Sequence, residues 1–221
     1  MKKYAIIIGA SGGIGSGFVR QLLKRGYTVY LQYRSDEALA ELQKLFSGDQ
    51  VRFFFSSLKD KKGLKEFLTA CQENGIYFSI AVLAAGTWKA DADFETVPES
   101  ISKLSQINFE TKQIFTDPFI EVYRGQKTPT KLVLISSHIS DVTTAEAEIL
   151  GQVGYVTAMK KVNALAKDID LHSSDVFMVF LLKTKRVETK ALQQVRQKHA
   201  DVPEGENNEA YAEAELLKIA A

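Results

Sequence analysis

The chain has a single cysteine, Cys71, and three scattered histidines, His138, His172 and His199. One thiol cannot close an intrachain disulfide, and neither residue type recurs at metal-ligand spacing, so no metal site is expected. Excess charge of one sign is also lacking: 28 lysines and arginines against 27 aspartates and glutamates leave a net charge of +1. This balance gives no electrostatic case for nucleic acid or an acidic membrane surface as a partner. No apolar run approaches a membrane span in length. The run Ala5 to Ile8, behind Met1-Lys-Lys, is too short for a signal-peptide core and ends in glycine. A cytoplasmic setting is the expectation. Nor is there an internal repeat, a low-complexity tract or a linker, so the 221 residues read as one domain, 1–221.

What is present is concentrated near the start. The run Tyr4 to Ile8 stops at Gly9-Ala-Ser11-Gly12-Gly13-Ile14-Gly15, and a helical pattern with Phe18, Val19, Leu22 and Leu23 on one side follows at once. This reads as strand, tight turn and helix. Glycine serves where φ is positive or where another group approaches the backbone closely. A helix N-terminus offers unpaired N–H groups and partial positive charge, which suit a phosphate. The spacing Gly9-x-x-x-Gly13-x-Gly15 is that of a dinucleotide-binding loop, and no Gly-Lys-Ser/Thr follows to make it a nucleoside-triphosphate loop.

Strand and helix patterns then alternate. Strands are expected at Tyr27–Gln32, Val51–Phe55, Phe78–Ala84, Lys131–Ser136 and Val176–Leu182. The second helix, capped by Asp36, runs to about Phe46 with Leu39, Leu42 and Leu45 inward. The third runs from Lys59 to about Glu73, and a long fourth from Glu99 to Tyr123 bends near Pro118. Further helices are expected at Gly151–Leu171, Val187–His199 and Asn208–Ile219. The strands are near-continuous apolar runs, the mark of a parallel sheet covered on both faces. Right-handed crossovers give an α/β, doubly wound (Rossmann-like) three-layer sandwich of about six strands.

Ligands of such sheets bind beyond the carboxyl ends of the strands. Behind the second strand stand Tyr33, Arg34 and Ser35, with no acid before Asp36 to take a ribose 2′-hydroxyl. A guanidinium there matches a 2′-phosphate, so NADP(H) is favoured over NAD(H). Behind the third strand, Ser57 and Leu58 either line an adenine pocket or begin the next helix. Behind the fourth, Ala84, Ala85 and Gly86 leave room for a flat ring or a ribose. Behind the fifth come Ser136, Ser137 and His138, with Tyr155 at the start of a later helix and Asn108 in the long helix before. A phenol acts as an acid toward a carbonyl when a cation lowers its pKa, best from i+4 on the same helix face.

These residues together resemble the short-chain dehydrogenase/reductase family over nearly the whole chain. Ile8 to Gly15 matches the family glycine motif apart from its leading threonine, and Leu83-Ala84-Ala85-Gly86 keeps the second half of Asn-Asn-Ala-Gly. The resemblance implies that Tyr155 exchanges the substrate proton and Ser137 orients the carbonyl. It also implies that Asn108 supports a proton relay and that Thr189 touches the nicotinamide amide. A lysine should hold the ribose and lower the tyrosine pKa. The family pattern Tyr-x-x-x-Lys here reads Tyr155-Val-Thr-Ala-Met159-Lys160, so Met159 aligns with that lysine. Lys160, the remaining candidate, lies about 100° further round a regular helix. The Ser-to-Tyr separation is longer than in the family, the Pro-Gly after the sixth strand is absent, and no seventh strand is expected.

Two readings follow. One is an NADP(H)-dependent oxidoreductase that reduces a small ketone or aldehyde, or oxidises the alcohol, by hydride transfer. The other is a catalytically impaired, cofactor-binding relative acting as a sensor or regulatory partner. The substrate pocket is expected from 87–98, 138–150 and 183–205. A homodimer or homotetramer, paired through the helices at 99–123 and 151–171, is implied by the resemblance alone.

Overall fold

The computed structural model describes residues 2–57, 59–124, 126, 130–173, 177–184 and 207–220. The expected helix at 187–199, the connection at 201–205, and residues Leu58 and Thr189 lie outside them. Six strands form one parallel sheet: β1 (Lys3–Ile8), β2 (Tyr27–Tyr33), β3 (Val51–Phe55), β4 (Phe78–Leu83), β5 (Thr130–Ser137) and β6 (Phe177–Thr184). Their spatial order is β3-β2-β1-β4-β5-β6. The order reverses between β1 and β4, so their carboxyl ends flank a crevice where neither crossover covers the sheet.

The apolar strands are explained by their two buried faces. In β1, Ile6 and Ile8 enter one core with Phe78, Phe115, Phe119 and Val162, while Ala5 and Ile7 enter the other with Phe18, Val19 and Leu22. Alternate side chains of one strand therefore serve two cores. Helices α1 (Gly13–Lys24), α2 (Asp36–Leu45) and α8 (Asn208–Ala220) border the second core. Helices α3 (Lys61–Glu73), α4 (Val97–Ser105), α5 (Thr111–Tyr123) and α7 (Val153–Ser173) border the first.

Local chemistry moved several boundaries. Ser35, not Asp36, caps α2, its hydroxyl accepting from the Ala38 N–H at 3.3 Å. Leu45 is 42% exposed because Phe46, just past the helix, takes the inward place instead. Helix α3 starts at Lys61, where the Asp60 carboxylate accepts from the Gly63 N–H at 2.9 Å. Ser57 is thus no helix cap: its hydroxyl closes a turn onto the N–H groups of Lys59 and Asp60. Segment 87–98 contains a 3₁₀ turn at Asp91–Asp93 and the start of α4, and segment 138–150 contains α6 (Thr144–Ile149). Glu146 closes a capping box with Thr143 there.

The long fourth helix is interrupted at a different place from the one its proline suggested. Gln106–Glu110 is a π-helical turn between α4 and α5, and the helix runs on through Pro118. Such turns insert one residue per turn and are found at functional sites. This one holds Asn108.

Candidate active site

Gly9 sits at φ +86°, and a Cβ there would lie 2.8 Å from the Ala84 carbonyl carbon and closer still to the Ala85 backbone. The turn after β1 is therefore pressed against the exit of β4, where the Ala84 N–H donates to the Ile8 carbonyl at 2.9 Å. A Cβ on Gly15 would lie 2.9 Å from the Gly9 carbonyl carbon. Gly9 and Gly15 thus fold the loop onto the first turn of α1. Gly12 has no such crowding and caps α1 through its backbone alone. No side chain caps this helix and no acid stands in its first turn, while Ser11 and Gly12 are exposed and Gly13 and Ile14 half-buried. The result is a bare-backbone cradle at a helix N-terminus, which fits the pyrophosphate of a nicotinamide dinucleotide.

Arg34 is exposed beside this cradle, and Tyr33 packs edge-on against Phe55 with ring centroids 5.7 Å apart. Ser57 lies at the β3 exit, held near β2 by the Ser56 N–H donating to the Tyr33 carbonyl at 2.9 Å. Beyond β4, Ala84 and Ala85 are half-buried and Gly86 is exposed.

The Asn108 side chain is fully engaged. Its Oδ1 accepts from the Thr87 N–H at 2.8 Å and its Nδ2 donates to the Leu104 carbonyl at 3.0 Å. It ties the β4 exit to the π turn, a positioning task met by both ends of one amide. Directly beside it is a residue that the sequence reading missed. Lys112 is 2% exposed, and its Nζ donates to the Ala85 carbonyl at 2.6 Å and the Asn108 carbonyl at 2.8 Å. Burial alone pulls its ammonium down to about 7. The available signal was its register: counting back from Tyr123 and Phe119, position 112 lies on the buried stripe with Phe115.

Ser137 ends β5, Tyr155 lies in the first turn of α7, and the serine hydroxyl is near enough to the phenol to influence its proton. Burial pushes the Tyr155 phenol up, and the Ser137 hydroxyl opposes that shift. The phenol therefore stays protonated at neutral pH, ready to donate. Behind the pair, the Ser136 hydroxyl donates to Asn163 Oδ1 at 2.6 Å, and Asn163 Nδ2 donates to the Ser140 hydroxyl at 2.8 Å. These bonds pin the β5 exit to α7.

A second residue that the sequence reading missed, this one without a sequence signal, aims that helix. The Asp91 carboxylate accepts from the N–H groups of Val153 at 2.6 Å and Gly154 at 3.0 Å, and from the Ser100 hydroxyl at 2.5 Å. A carboxylate from a distant loop thus caps α7 two residues before Tyr155, where helix dipole and free donors favour it.

The Lys160 expectation requires correction. Helix α7 is unbroken from Val153 to Ser173, so no bulge brings Lys160 round to the tyrosine face. Lys160 is exposed and, with Thr144, Ala147 and Thr157, lines a surface cavity of about 300 Å³ against α6, where the Glu146 pKa is lowered chiefly by hydrogen bonds from Thr143 and further by the Lys160 charge. Met159 is buried in the first core, its sulfur 4.0 Å from the Ser136 hydroxyl. Among the described residues, no group of His, Cys, Asp and Glu could hold a metal ion, and no helix is long and apolar enough to cross a membrane.

Comparison with known proteins adds to this geometry. A family model described as short chain dehydrogenase matches residues 3–200. A diacetyl reductase [(S)-acetoin forming] from Staphylococcus epidermidis is 32% identical over 110 residues, covering 49% of this chain and 43% of the relative. The chain thus spans less than half of that relative's length. An oxidoreductase of the short chain dehydrogenase/reductase family from Burkholderia thailandensis has a TM-score of 0.81 at 20% identity, covering 98% of this chain and 85% of the other. A short chain dehydrogenase from Burkholderia cenocepacia J2315, solved in complex with NADP, has a TM-score of 0.79 at 14% identity, covering 100% of this chain and 85% of the other. At these identities the two structures establish the shared fold.

Proposed function

The chain belongs to the short-chain dehydrogenase family, and on that premise we propose that it is an NADP(H)-dependent oxidoreductase converting a small ketone or aldehyde to its alcohol, or the reverse. The observation that carries this reading is a juxtaposition: the bare-backbone cradle at Gly9–Gly15 and the Ser137–Tyr155 hydroxyl pair lie along one edge of one sheet. Bound in the crevice, the nicotinamide supplies the hydride to the carbonyl carbon. Tyr155 gives its proton to the carbonyl oxygen and recovers one from solvent, so that one hydride and one proton account for the alcohol. Ser137 holds that oxygen by its hydroxyl, and Asn108 fixes the floor between β4 and α5.

The similarity to a diacetyl reductase supports a small carbonyl compound as substrate. Thr189 belongs to this proposal as a cofactor contact, with Leu58 and Ser57 near the adenine. The cytoplasm and a homo-oligomeric state complete it. The second reading, a cofactor-binding protein of poor activity, is favoured by one observation: helix α7 offers methionine where a cation is expected, and its neighbouring lysine faces outward.

Arg34 decides the cofactor. Exposed at the β2 exit, it is free to take a 2′-phosphate by a charge-assisted bond worth about 1.5–3 kcal/mol. Arg34→Asp is therefore expected to weaken NADPH binding by about tenfold to a hundredfold and to leave NADH binding the same or tighter. Nucleotide fluorescence titration reads both. Unchanged NADPH affinity in the variant contradicts the NADP(H) assignment.

A further inference from the structure

Helix α5 carries a charge on its buried face. Phe115, Phe119 and Tyr123 continue that face as apolar stacking, yet Lys112 occupies the same stripe and is as buried as they are. A buried ammonium is costly unless something compensates it. No carboxylate does so among the described residues. Its shift has no charged contributor, and its two partners are the carbonyls of Ala85 and Asn108. In its protonated form, at or below its pKa of about 7, the amine has three N–H donors, so one is left over.

The place of that spare donor is informative. Ala85 and Gly86 leave the carboxyl end of β4, beside β1, at the reversal of strand order. Gly86 is exposed, and a Cβ there would lie 3.9 Å from Lys112 Nζ. The same Cβ would lie 2.6 Å from Asn108 Oδ1, so the amine lies beside the Asn108 amide next to the exposed Gly86. Helix α7 leaves that crevice without a cation, since Met159 is packed in the core and Lys160 faces α6.

Resting on the cofactor reading above, we infer that Lys112 is the cation of this active site, reaching it from α5 and giving its spare N–H to a ribose hydroxyl of the bound dinucleotide. Cation and phenol then stand on different helices, and the tyrosine helix is free to carry methionine. The π turn has a use in this arrangement, because it holds the Asn108 carbonyl where Lys112 can grip it.

The test uses Lys112→Met, with Lys112→Gln as a second uncharged variant that keeps an amide donor for the carbonyls. Each is expected to weaken NADPH binding about tenfold and to slow carbonyl turnover by about a hundredfold. Adding Met159→Lys to Lys112→Met is expected to return at least half of the lost NADPH affinity on a logarithmic scale. Melting temperature supplies a readout independent of nucleotide. Burial lowers the folded-state pKa of Lys112 from 10.5 to about 7. Between those values the unfolded chain binds the proton and the folded chain does not, so wild type loses stability relative to Lys112→Met as the pH falls from about 10.5 to about 7. Below that window the penalty is constant. A variant that shows only this change in melting, with nucleotide affinity and turnover like wild type, makes Lys112 structural and overturns the inference while the proposed function stands. A wild-type chain that binds no NADPH overturns both.

Discussion

Tyr155→Phe should reduce carbonyl turnover by about 10²–10⁴-fold, the usual worth of a positioned proton donor, with NADPH affinity changed less than about threefold. The substitution removes one oxygen and keeps the ring that packs against the first core. Only the influence between the phenol and the Ser137 hydroxyl is lost, and that hydroxyl still accepts from the Ile139 N–H. Stability should therefore change by no more than about 1 kcal/mol, the net value of one hydrogen bond. The phenol acts as an acid here, and burial already holds it in the protonated form. A steady-state assay with a panel of small ketones and aldehydes checks the outcome. Turnover unaffected by the change would move proton transfer to another group.

The second large effect is predicted at Gly9. Alanine at that position has to adopt φ +86° and to place a methyl against the Ala84–Ala85 backbone, which cannot swing aside as a side chain would. The left-handed conformation costs about 1–2 kcal/mol and the overlap about 1–3 more. For a chain of this size that total lowers the melting temperature by about 10 °C. Nucleotide binding should fall further than stability, because the turn and the first turn of α1 are folded onto each other through Gly15. Calorimetry with a parallel titration separates the two losses. Gly12→Ala is the control: its nearest neighbour is the Gly9 carbonyl oxygen at 3.4 Å, an ordinary contact, so its melting point should barely move.

The fold was legible in the chain because each strand had to satisfy two cores. Ile6 and Ile8 against Ala5 and Ile7 leave no polar alternation to mislead, and β3 was read at its observed bounds from Val51 to Phe55. Short-range chemistry was harder to read. Ser35 and Asp36 are both good caps, and only the backbone decides that the serine is outside the helix. Pro118 looked like the place where the long helix bends, yet the departure from α-geometry is at Gln106–Glu110, where nothing in the residue types announces a π turn. In the candidate active site, Ser137, Tyr155 and the glycine loop were picked out because each follows a strand or opens a helix. Asp91 was not, since it caps α7 from sixty-two positions upstream. Lys112 was overlooked because lysine on a helix is ordinarily solvated, and only its register among phenylalanines gives it away. Lys160 was chosen for its position next to Met159 in sequence, but one residue on a helix is a rotation of about 100°, enough to carry it off the Tyr155 face.

The central claim is that the crevice between β1 and β4 holds a nicotinamide dinucleotide over the Gly9–Gly15 turn. Titrating the wild-type chain with NADPH and with NADH, followed by nucleotide fluorescence, tests it most directly. The account predicts saturable binding at one site per chain, with NADPH about tenfold tighter than NADH. The absence of a saturable signal for either nucleotide at about 1 mM, the upper end of ordinary enzyme working concentrations, would contradict it.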